Sequence, residues 1–264
     1  DNSGKLTSTG KDMARYSLPP RLARLMLKAC ANGQEKTGAV LAALLSDGDI
    51  FNRNFEPSSE ISLRMEQLQR LISRQRLEIK SHRMRREQIS KIQRTVKSLT
   101  GKSSSPTNSE NVSTGSLLLA AYPDRFACRL SQKTGSYKLA SGRVVSLGVH
   151  DPLCHCDYLV IAEADAGEKN GRIFLAEPVD LETIFMEHQQ LIETSEETYW
   201  CKKKEKVISI RREQIGQIVL RESPLTNPPE ELLSNATKEG IEQIGLKQLL
   251  SNSKTEQFIL RVNL

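Results

Sequence analysis

The sequence lacks the features of membrane-spanning and exported proteins. Its 264 residues contain no run of about 18 consecutive apolar residues. The first residues are polar, without the charged-then-apolar order of a signal peptide. The five cysteines are an odd number spread along the chain, which is not the pattern of a disulfide framework. We therefore expect a soluble, non-secreted protein with free thiols, located in the cytoplasm and without a membrane partner.

Motifs for nucleotide hydrolysis and for nucleophilic catalysis are also missing. Gly101-Lys102-Ser103 imitates the end of a phosphate-binding loop, but Val96 stands where that loop needs a glycine five residues earlier. The sequence contains neither Asp-Glu-x-His nor Gly-x-Ser-x-Gly. We therefore expect no catalytic residue, no cofactor bound by these residues, and no enzymatic activity of this chain alone.

Four potential metal ligands lie close together in the sequence, His150, Cys154, His155 and Cys156. Zinc sites usually pair two ligands at Cys-x₂-Cys or His-x₃-His spacing with a second such pair, and this Cys-x-Cys has no distal pair of that form. The alternative is a turn after Asp151-Pro152 that leads into a strand with alternating side chains. We expect no metal at this position.

Acidic residues are scarce in one stretch, so the basic charge of the chain is local. The formal net charge is +6. Residues 61–100 alone contain eleven Lys or Arg against three Asp or Glu, with no aromatic residue among them. Lys and Arg neutralise phosphates whatever the nucleotide sequence, and an uncompensated excess repels itself unless an anion is near. The stretch predicts nucleic-acid contact without base stacking. The alternative is a solvated helix face, as in most charge runs.

The first hundred residues predict a helical bundle. Thr7 can cap a first short helix, Pro20 suits the first turn of a second, and Gly33 suits its left-handed end. A third helix extends to about Ser46. From Ile61 onward the apolar residues keep a helical spacing with a polar middle, which fits either two helices or one long helix with a solvated centre.

The rest of the chain predicts mainly β structure. Residues 101–115 are rich in Ser, Asn and Gly and read as a linker. After a short helix at 116–121, five β-prone runs are typical of a small barrel or of another five-stranded unit: 126–130, 137–140, 143–147, 158–163 and 172–178. A helix capped by Asp180 comes next. A meander is then predicted at 197–202, 207–212 and 216–223, followed by helices from 230 to about 250 and from 254 onward.

Several motifs resemble a known family. The first is Leu-Thr-x-x-Gly-x-x-Met-Ala from Leu6, followed by Leu-Pro-Pro-Arg-Leu-Ala from Leu18 and Leu-Ala-Ala-Leu-Leu-Ser from Leu41. Two further ones are Ala-Tyr-Pro-Asp-Arg from Ala121 and Gly-Arg-Ile-Phe-Leu-Ala from Gly171. Together they resemble the helicase-associated region of DEAH-type helicases, and in particular the HrpB subgroup of bacterial ATP-dependent helicases. The resemblance spans most of residues 4–222. The Pro19-Pro20 pair departs from it, since one proline is expected there.

The resemblance implies an α+β multidomain fold. The expected parts are a helical bundle at 1–100, a flexible linker at 101–115, an OB-like β-barrel at 116–190 and a mixed β/α extension at 191–264. Such domains close over the motor domains of the same protein and hold a single strand, taken here as RNA. ATP and Mg would be bound by those motor domains, which these residues do not include.

Charge and resemblance together select nine candidate nucleic-acid-binding residues: Arg83, Arg86, Lys91, Arg94, Arg125, Arg129, Lys133, Lys138 and Arg143. Tyr122, Phe126 and Tyr137 are candidate stacking partners in the barrel, with core packing as the alternative for the last two. A different class of protein is also open, namely a scaffold whose basic helices dock an acidic partner, with the extension as a protein-binding surface. Affinity for single strands that falls steeply with salt would favour the nucleic-acid interpretation.

Overall fold

A computed structural model of the chain describes residues 5–52, 58–72, 85–101, 112–131, 134–165 and 171–244. The fold is α+β, as predicted, with a helical bundle, a closed five-stranded barrel and a separate three-stranded sheet. The chain divides into two compact units, residues 1–191 with 215–218, and residues 192–214 with 219–264. None of the helices in the described ranges combines the length and apolar character needed to cross a membrane.

The bundle begins with three helices, α1 (Ser8–Met13), α2 (Pro20–Ala31) and α3 (Glu35–Asp47). The predicted caps are confirmed. Thr7 Oγ1 accepts a hydrogen bond from Gly10 N at 3.1 Å, and Gly33 has a φ of 72° just after α2. Both prolines fit without a break, because Pro19 is extended with ψ at 147° and Pro20 is the first helical residue. The apolar faces of α2 and α3 pack on each other through buried Leu25, Met26, Leu41 and Leu44.

Two further helices complete the bundle, α4 (Ile61–Ile72) and α5 (Arg86–Leu99). Arg85, directly before α5, is extended with φ −89° and ψ 94°, and its backbone N–H donates to Ile50 O at 2.8 Å. Because the chain is not helical there, the two-helix alternative is confirmed and the single long helix is wrong. Ile92 and Leu99 anchor α5 in the core.

The barrel follows a short helix, α6 (Thr114–Ala121). Its strands are β1 (Phe126–Arg129), β2 (Ser136–Leu139), β3 (Val144–Ser146), β4 (Tyr158–Ala164) and β5 (Gly171–Pro178). They close in the order β1-β2-β3-β5-β4, with β1 against β4. The β3–β5 pair is parallel and the other pairs are antiparallel. Helix α7 (Leu181–Glu187) comes next, and Asp180 caps it, as predicted.

Bundle and barrel contact each other within the first unit. Ser59 O accepts from Ala176 N of β5 at 2.9 Å, so the chain before α4 pairs with the part of β5 that extends beyond its partner β3. Glu177 of β5 accepts hydrogen bonds from the backbone N–H and the hydroxyl of Ser62, in the first turn of α4. Most of the predicted linker lies outside the described residues, and the division of this region into separate domains stays a prediction.

The second sheet contains β6 (Glu193–Cys201), β7 (Lys206–Ile215) and β8 (Ile218–Pro224) in that order. Helix α8 (Glu230–Ile244) follows and packs on β6. Residues 213–215 were predicted as a connection, and this is wrong, because they are the end of β7 and the turn is at Gly216, whose φ is 54°. The helix predicted from residue 254 lies outside the described residues.

Candidate nucleic-acid interface

Helix α5 presents one basic face to solvent. Arg86, Arg94 and Lys97 are exposed, whereas Ile92 and Leu99 are buried on the opposite side. Positions 86, 94 and 97 share one side of a helix with 3.6 residues per turn. The first turn of α5 contains the acidic residue Glu87. This face, defined as Arg86, Arg94 and Lys97, is called the α5 basic face below.

Lys91 lies at the edge of the α5 basic face and has a structural contact as well. Its ammonium is 3.3 Å from Asp47 Oδ1, at the end of α3. Asp47 is nearly buried, and its other carboxylate oxygen accepts from Thr95 Oγ1 at 2.6 Å. Lys91 therefore ties α5 to α3, although its side chain remains 57% exposed.

Arg64 contributes to the charge count of residues 61–100 but not to any surface. Its side chain is only 3% exposed and is paired with Asp49, with Nη2 3.0 Å from Oδ2. Nη1 donates to the carbonyl oxygens of Ser58 and Glu60 at 2.6 and 2.9 Å. The guanidinium carbon also lies 5.3 Å from the centre of the Phe51 ring. The basic stretch therefore overstates the charge that a nucleic acid could reach.

Arg125 and Arg143 line the same pocket at one end of the barrel. Arg125 is held there, since Nη1 donates to Ala162 O at 2.5 Å and its guanidinium carbon is 5.1 Å from the Tyr122 ring centre. The guanidinium carbon of Arg21, on α2, lies 5.4 Å from the centre of the same ring. Its Nη1 and Nη2 donate to the two carboxylate oxygens of Asp124 at 2.6 and 3.3 Å. Sequence reasoning missed Arg21, which joins bundle to barrel.

Arg129 and Lys138 lie apart from that pocket. Arg129 ends β1, whereas Arg125 precedes it, and Arg129 Nη2 is paired with Asp157 at 2.6 Å. Lys138 faces outward next to Cys128, with Nζ 3.4 Å from Gln217 O. Arg83 and Lys133 lie outside the described residues. The nine candidates therefore do not form one cluster among the described residues.

Two of the three candidate stacking partners are core residues. Phe126 and Tyr137 have no exposed surface. Phe126 stacks on Tyr158 with ring centres 5.6 Å apart, and the Tyr137 hydroxyl lies 2.6 Å from Leu153 O. Their alternative interpretation, packing, is therefore correct. Tyr122 is partly exposed, and burial of the rest raises the pKa of its hydroxyl.

The four potential metal ligands do not converge. Cys154 is 3% exposed within the barrel core, and its thiol donates to Gly148 O at 3.4 Å. Burial raises the pKa values of the Cys154 and Cys156 thiols, which disfavours the thiolates that bind metals. Within the described residues no three His, Cys, Asp or Glu side chains form a possible metal site.

Comparison with known proteins finds similarity to an RNA helicase and to its solved structures. No protein-family profile matches the chain. The chain is 27% identical over 269 residues to the ATP-dependent RNA helicase HrpB of Escherichia coli strain K12, an alignment that covers 98% of this chain and 29% of that protein. The resemblance to HrpB-type DEAH helicases is therefore confirmed, and the chain is homologous to one region of such a helicase.

Solved structures of HrpB support the same similarity. A crystal structure titled as the E. coli DExH-box NTPase HrpB superposes with a TM-score of 0.66 and 25% identity, covering 92% of this chain and 27% of that one. A second one, of the Escherichia coli DEAH/RHA helicase HrpB, gives a TM-score of 0.63 at 23% identity and supports the fold alone. It covers 97% of this chain and 29% of the other. The chain thus spans less than a third of the length of these relatives.

Proposed function

We propose that this chain is the accessory region of an ATP-dependent helicase. In this proposal the region binds single-stranded nucleic acid, and that nucleic acid is RNA. The observation that carries the proposal is the exposed α5 basic face in a chain homologous, over 98% of its length, to an ATP-dependent RNA helicase. Arginine and lysine side chains on such a face neutralise backbone phosphates and release counterions, which gives affinity for any sequence.

The barrel supports the same proposal. Its strand order, with β3 parallel to β5 and β1 closing on β4, fits an OB-type barrel, a fold that often carries single strands. Lys138 and Arg143 lie on or beside β2 and β3, the strands that OB folds use for this purpose. Arg129 and Lys91 would act from the periphery, because each already pairs with a carboxylate.

The energy for strand movement would come from motor domains of the same protein. We propose that ATP and Mg bind in those domains, and that the bundle and barrel close over them so that the strand is held in a channel. The whole protein would then act in the cytoplasm. The described residues would contribute affinity and closure rather than chemistry.

A protein partner at the extension is a second candidate, supported by a separate observation. The sheet of β6–β8 leaves Tyr199 and Val219 38% and 41% exposed. Exposed aromatic and aliphatic side chains on a sheet are common at protein interfaces. A scaffold role of this kind is compatible with strand binding by the first unit.

The proposal is tested by binding of fluorescent single-stranded RNA and DNA to this chain at low salt. The double variant Arg86→Glu, Arg94→Glu reverses the charge of the α5 basic face without touching a buried side chain. The matched control is Lys202→Glu, Lys204→Glu, at the exposed turn between β6 and β7. We expect the first variant to weaken binding at least tenfold and the control to bind nearly as the parent does. Equal loss in both variants, or no binding by the parent, contradicts the proposal and favours the scaffold.

A further inference from the structure

A pocket of about 320 Å³ opens at one end of the barrel. Its floor consists of side chains from the barrel interior, Leu139, Val145 and Ile161. Its rim is polar and comes from the turn before β1, the turn between β2 and β3, and the end of β4. The volume is at the low end of the range of about 300–1,000 Å³ found for ligand pockets, and barrel mouths are common positions for them.

One wall of this pocket is fixed in place by a bulge in β4. The pairing of β4 with β5 shifts between Ile161 and Ala164, and Ala162 has no partner in that register. Its carbonyl oxygen instead accepts from Arg125 Nη1 at 2.5 Å. Bulges recur at barrel rims, where they redirect side chains. Arg125 therefore forms a rigid wall, further held by the Tyr122 ring.

Two rim side chains keep their hydrogen-bonding capacity. Asp124 is already engaged by the Arg21 fork. Arg143 and Asp165 are exposed, and neither forms an ion pair or a side-chain hydrogen bond with any residue in the described parts of the chain. In addition to the held Arg125 and Asp124 and the hydroxyl of Ser141, the pocket thus presents the forked cation of Arg143 and the carboxylate of Asp165 above an apolar floor.

We propose that this pocket binds an unstacked guanine base, an inference that rests on the proposed function. Guanine carries two adjacent donors, N1–H and N2–H, which a carboxylate such as Asp165 can accept together. It also carries two adjacent acceptors, O6 and N7, which match the two donors of an arginine fork such as Arg143. The apolar floor would contact the ring. Adenine and uracil lack the paired donors, so the pocket distinguishes guanine.

The base reaches the pocket from a single strand, whose unstacked bases can be turned out toward a protein. A free guanine nucleotide presents the same edges, so the experiment separates the two sources. One arm measures binding of a twelve-nucleotide oligouridine and of the same strand with one central guanosine. The other arm measures binding of GMP and AMP by titration calorimetry.

The variants are Arg143→Ala and Asp165→Asn, both at exposed positions. The controls are Arg24→Ala on α2 and Glu231→Gln on α8, which are also exposed. We expect the parent to bind the guanosine strand about tenfold more tightly than oligouridine, the usual worth of one good base contact. Each pocket variant should remove the preference for the guanosine strand. The affinity of Asp165→Asn for oligouridine should stay within about threefold of that of the parent. The controls should retain the preference.

The outcomes distinguish this inference from the proposed function. If oligouridine binds and guanosine adds nothing, the pocket proposal is overturned while strand binding stands. A guanosine preference that survives both pocket variants also overturns it. If the chain binds no strand but binds GMP in preference to AMP through Arg143 and Asp165, the pocket is a site for a free nucleotide and the proposed function fails. If the chain binds neither oligouridine, nor the guanosine strand, nor GMP, both the pocket proposal and the proposed function are overturned.

Discussion

At the scale of single residues, buried Ser116 and His188, together with the partly exposed Glu187, fix the protonation state of the His188 ring. Ser116 Oγ lies 2.5 Å from Glu187 Oε2 and 2.7 Å from His188 Nε2. Its one hydroxyl proton goes to the carboxylate, so His188 Nε2 carries a proton and donates to Ser116 Oγ. His188 Nδ1 then bears the lone pair, is buried, and has no hydrogen-bond partner in the described structure. Burial, together with the nearby Lys28 ammonium, lowers the pKa of His188 to about 4.

This cluster predicts a loss of stability on mild acidification. The unfolded chain protonates His188 near its ordinary pKa of 6.5, whereas the folded chain does so only near 4. Between these values the unfolded state binds more protons, so the free energy of unfolding falls as the pH drops through that window. We expect a loss of about 3 kcal/mol from this residue across the window, measured by urea denaturation at a series of pH values.

The control compares the pH dependence of the free energy of unfolding in the parent with that in His188→Gln. Glu177 is also buried, and its raised pKa acts in the opposite direction, since protonation there favours the folded state as the pH falls. That contribution is common to both proteins and cancels in the difference. Identical pH dependence in the two proteins would show that His188 does not cause the loss.

Arg64 shows why a sequence count of charges cannot identify an interface. The sequence places it at the start of the basic stretch, and nothing in the sequence indicates that its guanidinium is engaged inside the protein. The contacts that bury it come from Asp49 and the segment before α4, which are brought together by tertiary structure. Tertiary contacts therefore decide which of the predicted cations remain available.

The Arg64 cluster predicts a large effect of a single substitution. Arg64→Met keeps much of the side-chain volume but removes the guanidinium from the Asp49 carboxylate and from two buried carbonyl oxygens. The carboxylate then keeps only the Phe51 backbone N–H as a donor within the described residues. We expect the free energy of unfolding to fall by about 3 kcal/mol or more, because breaking one side of a buried ion pair strands the other charge. Arg70→Met, at an exposed pair with Glu66, is the control and should change it by less than about 0.5 kcal/mol. Similar effects of the two substitutions would contradict the structure.

At the scale of elements, local signals predicted most helix ends and strands. The caps at Thr7 and Asp180 and the left-handed Gly33 depend only on neighbouring residues, so the sequence was sufficient for them. The pairing of Ser59 and Glu60 with β5 was not predictable, because the partner strand is more than a hundred residues away. The bulge in β4 was missed for a similar reason, since no glycine or proline marks it.

The contact of α8 with β6 depends on a glycine inside a helix. A Cβ atom on Gly240 would lie 2.5 Å from two ring carbons of Trp200. Alanine favours helices over glycine by about 1 kcal/mol, but the contact leaves no room for the methyl group. We therefore expect Gly240→Ala to destabilise the extension despite its better helix propensity.

Intrinsic fluorescence reports that prediction directly, because Trp200 is the only tryptophan in the chain. We expect the emission of Gly240→Ala to shift to longer wavelength as the indole is displaced into water, with unfolding at lower urea concentration. Lys238→Ala, on the same helix at an exposed position, is the control. Unchanged emission and stability in Gly240→Ala would show that the two residues do not pack as described.

At the scale of the whole molecule, the candidate site was predictable as a charge pattern but not as a surface. Helical periodicity places Arg86 and Arg94 on the polar side of α5, and the structure confirms that side as exposed. The sequence could not show that Arg125 and Arg143 share a pocket while Arg129 and Lys138 lie elsewhere, because that depends on barrel closure. The helicase resemblance came from motifs rather than charge, and homology over 98% of the chain confirms it.

The most direct test of the central claim is the salt dependence of RNA binding. For single strands, the slope of log affinity against log salt is about −0.7 for each phosphate neutralised. The parent chain should bind oligouridine with a steep negative slope. In Arg86→Ala, Arg94→Ala the slope should become shallower by about 1.4, because two phosphate contacts are lost. A parent slope near zero, or a slope that these substitutions leave unchanged, would show that the α5 basic face does not hold the strand.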